Sequence, residues 1–237
     1  MSQVTTNLML VKQRLELAAL AAKREPEDIQ LLAVSKTFPA IAVEEAMHAG
    51  QTAFGENYVQ EGVAKVLELK DLRSSLEWHF IGPIQSNKSK DVAENFDWVH
   101  SIDRIKIAQR LNDQRPAHLP PLEVCVQVNI SGEASKSGIG PDELLDICQK
   151  ISAMPNLHLR GLMSIPEPTD DVQAQRKSHQ QLRELLSKLQ QSTALDHQKV
   201  QLDTLSMGMS SDIEAAIAEG STMVRVGTAI FGKRTYL

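Results

Sequence analysis

The stretch Leu31-Leu32-Ala33-Val34-Ser35-Lys36 sets four apolar residues in a row, then a serine and a lysine. Such a run reads as a strand buried on both faces, the pattern of parallel sheets covered by helices. Pro39 opens the next element, so Lys36 stands at the C-terminal end of the strand. An ammonium there is costly to desolvate. The site must pair it, lower its pKa, or consume its charge in a covalent bond. A lysine held in that way is a Schiff-base former. Taken alone, the plainer reading is a packed stem with a solvated head. The surrounding architecture has to decide between the two.

Moving outward from this strand, apolar spacing at Leu8, Val11, Leu15, Ala18 and Ala22 predicts a helix over 4–23. Strands are expected over 29–34, 52–56, 77–82, 97–102, 122–130, 157–165, 201–206 and 223–226. Helical patterns separate them, from Pro39 to Gly50 and over 58–72, 85–95, 104–115, 142–154, 170–194 and 211–219. Ser211-Asp212-Ile213-Glu214 reads as a capping box for the last of these. Thr228–Phe231 reads either as a continuation of strand eight or as a short final helix. Strict alternation of strands and helices implies a parallel sheet. Eight units at roughly 30 residues each fit a closed barrel. The open, doubly wound alternative would carry a Gly-rich dinucleotide fingerprint after strand one, where Ser35-Lys36-Thr37-Phe38 stands instead. The expectation is an α/β chain, a single TIM-type (β/α)8 barrel over residues 1–237 with an extra N-terminal helix.

With 237 residues, 42% of them hydrophobic, the chain can bury a substantial core. A net charge of −5 argues against non-specific nucleic-acid binding, which needs a basic face. No apolar run reaches the length of a membrane span, and the first residues do not form a signal peptide. Cys125 and Cys148 sit in apolar segments and read as small buried hydrophobes, consistent with a reducing, cytoplasmic setting. No His and carboxylate cluster has metal-ligand spacing, so no metal site is expected.

Chemistry in a parallel barrel sits at the C-terminal ends of the strands, where Lys36 stands. The loops after strands seven and eight often hold phosphate in this fold. Here they read Ser206-Met207-Gly208-Met209-Ser210-Ser211 and Arg225-Val226-Gly227-Thr228. Gly208 and Gly227 permit close approach of backbone N–H groups to an anion, and Ser206 and Thr228 add hydroxyl donors. Lysine at one end and a phosphate cradle at the other fit a ligand with an aldehyde and a phosphate. Pyridoxal 5′-phosphate (PLP) is the leading candidate, and a phosphosugar aldolase is the chemical rival.

The blocks Ala33–Lys36, Phe54–Glu61, Trp78–Lys88, Leu205–Ser210 and Val224–Gly232 resemble the pyridoxal phosphate homeostasis protein family. Its members look like the N-terminal barrel of alanine racemase, a fold-type III PLP enzyme. The resemblance implies that Lys36 forms the internal aldimine and that Ser206, Gly227 and Thr228, with Met207 and Gly208 beside them, bind the phosphate. It also implies that Arg225 faces the pyridine nitrogen, and it places Asn57 and His79 near the cofactor. An arginine there disfavours the pyridinium and weakens the ring as an electron sink. A racemase also needs a second base, a tyrosine from another domain in alanine racemase. The sequence ends soon after strand eight, and its tyrosines are Tyr58 and Tyr236. The expected activity is therefore that of a non-catalytic, monomeric PLP carrier or regulator in the cytoplasm, serving apo forms of PLP enzymes. A weak amino-acid racemase or lyase is the alternative. Lys136, in the loop after strand five, reads as a solvated lysine or as a second amine that relays cofactor.

Overall fold

The computed structural model describes residues 2–132, 137–196 and 200–232. Lys136 and Tyr236 lie outside the described residues. Strands β1 (Gln30–Val34), β2 (Ala53–Glu56), β3 (Glu77–Phe80), β4 (Trp98–Ile102), β5 (Leu122–Gln127), β6 (Leu157–Met163), β7 (Thr204–Met209) and β8 (Met223–Val226) pair in sequence order, all parallel. β8 returns to β1, with Leu31 opposite Val224 and Ala33 opposite Val226, so the sheet closes and no edge strand is left exposed.

Alternation along each strand sorts the side chains into two layers. Leu32, Val34, Ala53, Ile81 and Met223 pack as one buried group, and Trp98, Cys125 and Met163 as another. These are the inward-facing positions. Leu31, Ala33, Phe54, Trp78 and Phe80 belong to the larger core between strands and helices. Both cysteines are buried, as expected. Burial pushes the Cys148 thiol up to about 12 and the Cys125 thiol higher still.

The helices are α1 (Gln3–Ala21), α2 (Ala40–His48), α3 (Val59–Glu68), α4 (Ser89–Asn95), α5 (Ile105–Gln114), α6 (Leu144–Ser152), α7 (Val172–Gln191), α8 (Ile213–Ala218) and α9 (Thr228–Phe231). Thr228–Phe231 is thus a helix rather than a continuation of β8. The N-terminal helix is less of an addition than its position suggests. α1 packs against α2, α8 and α9 and buries Leu8, Val11, Leu15, Ala18 and Ala19. It covers the seam beside β8 that a four-residue α9 is too short to cover.

Several boundaries differ from expectation; β3 stops at Phe80, β6 at Met163 and α3 at Glu68, short of the expected ends. β5 stops at Gln127, and Val128 then pairs with Ile139 in an isolated bridge. β7 starts at Thr204 and runs to Met209, with a bulge that interrupts its register with β8 between Ser206 and Met209. Gly208 sits in that bulge at φ +92°, and a Cβ there would lie 2.5 Å from Ala216 Cβ on α8. The expected capping box does not form. Asp212 is the residue before α8, and its carboxylate accepts the Met209 N–H at 2.6 Å.

Candidate functional site

A cavity of about 320 Å³ opens at the C-terminal ends of the strands. That size suits a small ligand. Val34, Phe38, Ile81, Ile165 and Met209 form its apolar walls. Its polar lining comes from Lys36, Asn57, Ser210, Ser211, Arg225 and Thr228, with Gly227 between the last two. Val34 is an inward position of β1, and Lys36, two residues on, keeps that direction.

The backbone around Lys36 is held from behind. Ser35, pointing outward, donates to Glu56 Oε1 at 2.6 Å. The Lys65 ammonium, from α3, donates to the Ser35 carbonyl, Glu56 Oε1 and Glu61 Oε1, each at 2.7 Å. Glu61 in turn accepts from the Thr37 N–H. The carbonyl before Lys36 and the amide after it therefore belong to one ion network. Thr37 sits at φ +69°, a conformation that a β-branched residue rarely adopts. Its bond to Glu61 is what the structure offers to hold it there. Burial pushes the Glu56 carboxyl up, against the pull of Lys65.

Arg225 forms part of the cavity floor. Its guanidinium donates to the Ser206 carbonyl and hydroxyl and, at 2.8 Å, to the Ser164 carbonyl. Burial lowers its pKa to about 10, which leaves it cationic at neutral pH. The Asp212 carboxylate braces the neighbouring wall. It bonds the Met209 N–H and His179 Nε2, the latter at 2.9 Å, and these contacts hold it below the usual carboxylate range. At the start of α9, the first N–H groups have no acceptor within the helix and face the same end of the barrel as Ser210 and Ser211.

The structure thus brings Lys36, Asn57, Arg225, Gly227 and Thr228 to one cavity. Four other expected residues stand off its lining. Ser206 is buried, with its hydroxyl turned to Arg225 and His100. Met207 points into the layer between strands and helices. Gly208 packs on α8. His79 lies buried within the barrel, stacked on Trp98 and bonded to His100. Sequence reasoning missed Ser210 and Ser211 as lining residues, although a serine pair directly after a strand in the phosphate-binding position was the available signal. Tyr58 is 53% exposed and is not part of the lining. Among the described residues, no group of three or more His, Cys, Asp or Glu side chains could hold a metal ion, and no helix is long and apolar enough to cross a membrane.

A family model described as "Alanine racemase, N-terminal domain" matches residues 11–235, which defines the class of barrel. The chain is 57% identical, over 100% of its length and 98% of the relative's, to a pyridoxal phosphate homeostasis protein of Pseudomonas aeruginosa. It is 54% identical, over 100% of its length and 99% of the relative's, to one of Escherichia coli. The chain belongs to the pyridoxal phosphate homeostasis protein family. Among solved structures, PipY of Synechococcus elongatus, determined with PLP bound, is 40% identical with a TM-score of 0.79, covering 92% of this chain and 98% of that one. Alanine racemase of Corynebacterium glutamicum shares the fold, with a TM-score of 0.70 at 16% identity over 98% of this chain and 61% of that one.

Proposed function

We propose that this chain binds PLP in the cavity at the strand ends and serves as a carrier or regulator of the cofactor rather than as an enzyme. The observation that carries the reading is the single cavity shared by Lys36, Arg225 and the Ser210, Ser211 and Thr228 hydroxyls. The side chains fit the group. Asn57 Oδ1 is buried against the cavity with no hydrogen-bond partner, as a ligand-facing polar atom would be. Flat apolar walls from Val34, Ile81 and Ile165 suit an aromatic ring. Bound PLP supplies an aldehyde able to condense with an amine, and a phosphate dianion.

Lys36 provides the amine, and the Lys65–Glu61 network fixes the backbone on both sides of it. Ser210, Ser211, Thr228 and the N–H groups around Gly227 bind the phosphate. Met207 and Gly208 contribute by shaping the bulge that presents this wall. Arg225 would hold the ring from the cavity floor, and its positive charge would disfavour a protonated ring nitrogen beside it. The carrier reading is supported by the lining itself. Lys36 and Arg225 are the titratable side chains of the described lining, whereas a racemase needs a base on each face of the substrate carbon. The names of the curated relatives agree. We further propose that residues 1–237 form one domain acting as a monomer in the cytoplasm, and that apo forms of PLP enzymes receive the cofactor.

The test is the visible absorption of protein loaded with PLP, followed by borohydride reduction and mass analysis of the trapped peptide. Wild type shows the chromophore and an adduct on the Lys36 peptide, and Lys36→Ala shows neither. Wild-type protein that takes up no PLP overturns the reading. Steady α-deuteration of an amino acid in deuterated water, at enzyme-like rates, overturns the carrier part of it.

A further inference from the structure

Beneath the cavity a line of polar side chains crosses the barrel interior, and the proposed function uses only its upper end. The Arg225 guanidinium donates to Ser206 Oγ at 2.9 Å. Ser206 Oγ lies 2.7 Å from His100 Nδ1, and His100 Nε2 lies 2.9 Å from His79 Nδ1. His79 Nε2 lies 2.6 Å from Glu77 Oε1. This last contact is short but falls outside hydrogen-bond geometry. Each residue comes from the inward face of a different strand, except that His79 and Glu77 are two apart on β3. Both histidines are fully buried, while the Glu77 side chain, at the N-terminal rim, is 39% exposed.

With one proton on each imidazole, the two ends fix one polarity. Arginine only donates and an ionised carboxylate only accepts. The carboxylate requires a proton on His79 Nε2, since a bare lone pair would face it otherwise. With its one proton there, His79 accepts at Nδ1 from His100 Nε2–H. His100 Nδ1 accepts from the Ser206 hydroxyl, whose oxygen is left to receive Arg225. Burial, with His79 and Arg225 nearby, keeps His100 neutral. Trp98 stacks on His79 with ring centroids 5.4 Å apart, and the Arg160 guanidinium lies over the Trp98 ring at 4.8 Å, so the fully buried His79 ring has little freedom to turn.

We propose that Ser206, His100 and His79 form a one-way hydrogen-bond chain that orients Arg225 toward the cavity, with the carboxylate of Glu77 on the opposite rim as the remote anion that sets its direction. These are positioning residues, and their effect on a ligand rests on the PLP reading above. Chains of this kind polarise one another in a low-dielectric interior, so a change at one end is felt at the other.

The test has two arms, both on the full chain with Glu77→Gln and Ser206→Ala. The first uses ligand-free protein with 15N-labelled histidine and reads tautomers from long-range proton–nitrogen spectra. Wild type has its proton on Nε2 of both His79 and His100. Glu77→Gln, which can donate or accept, loses that preference at His100 as well as His79. The second arm measures PLP affinity and the visible absorption maximum. Glu77→Gln raises the dissociation constant about three- to tenfold and shifts the band, though it touches no ligand. Glu77→Asp, which keeps the charge, restores part of both. A proton on His100 Nδ1 in wild type, or His100 and band position both unchanged in Glu77→Gln, overturns the proposal. A merely structural role for Glu77 would move the unfolding temperature and leave tautomers and band alone. If wild type binds no PLP, the cofactor reading fails, and the first arm still judges the chain.

Discussion

Substituting Gly208 by alanine is a sharp probe of how the cavity wall is built. The position has φ +92°, where an L-residue costs about 1–2 kcal/mol. The added methyl would also sit 2.5 Å from Ala216 Cβ, and overpacking of this sort costs about 1–3 kcal/mol. Gly208→Ala should therefore destabilise the fold by about 2–5 kcal/mol. Ala216→Gly opens the space but puts a glycine in α8, at about 1 kcal/mol. In the double variant the contact disappears and the backbone strain stays. Equilibrium urea unfolding of the four proteins gives the coupling, expected at about 1–3 kcal/mol in the favourable direction. PLP affinity measured in parallel should fall in Gly208→Ala and recover in the double variant, because Met209–Ser211 follow the bulge. Additivity within about 0.5 kcal/mol would show that Gly208 and Ala216 do not meet, and the packing account of the bulge would be wrong.

Other outcomes can be checked separately. Leu8→Ala removes a fully buried anchor of α1 and should cost about 2–5 kcal/mol, lowering Tm by about 2–4 °C for each, by calorimetry. His100 is held well below its ordinary value of 6.5 by burial first. The unfolded chain therefore binds a proton below that pH that the folded chain refuses. Stability from this group is full above about 6.5 and falls by about 1.4 kcal/mol per pH unit below it, and His100→Gln should flatten that slope in unfolding measured from pH 7 to 5. Glu61→Gln weakens the bond that holds Thr37 at positive φ and should cost about 1–3 kcal/mol, with weaker PLP binding; unchanged affinity would disconnect the network from Lys36.

The barrel was legible because each strand announces itself by composition and each helix by its spacing. Boundaries failed where a local irregularity carries the geometry. Gln201 and Asp203 already donate to the Leu159 and Arg160 carbonyls of β6, but the Asp203 N–H also bends back to the Gln201 carbonyl, and the regular register begins only at Thr204. Ser211 fits a capping box on paper, but the tighter constraint is the Met209 amide, which takes the next carboxylate along. For the site, Lys36, Asn57, Arg225, Gly227 and Thr228 were found by strand-end logic together with the family resemblance, and their common cavity needed the fold. The interior chain was hidden for a different reason. Period-two alternation points His79 and His100 inward on adjacent strands, but only the barrel's closure brings Ser206 and Arg225 across to meet them.

Pairing of β1 with β8 makes neighbours of two of the most distant segments in the chain, and α1 packs over the same seam. Of the eight strands β1 is made first, and its pairing is completed only by the one made last. Until β8 arrives, it offers a bare row of amides and carbonyls, and α1 has an uncovered apolar face. Lys36 follows the first of these strands, and Arg225 and Thr228 come with the eighth. The lining is complete only when the strands that carry these residues stand side by side, which the closure of β8 onto β1 brings about.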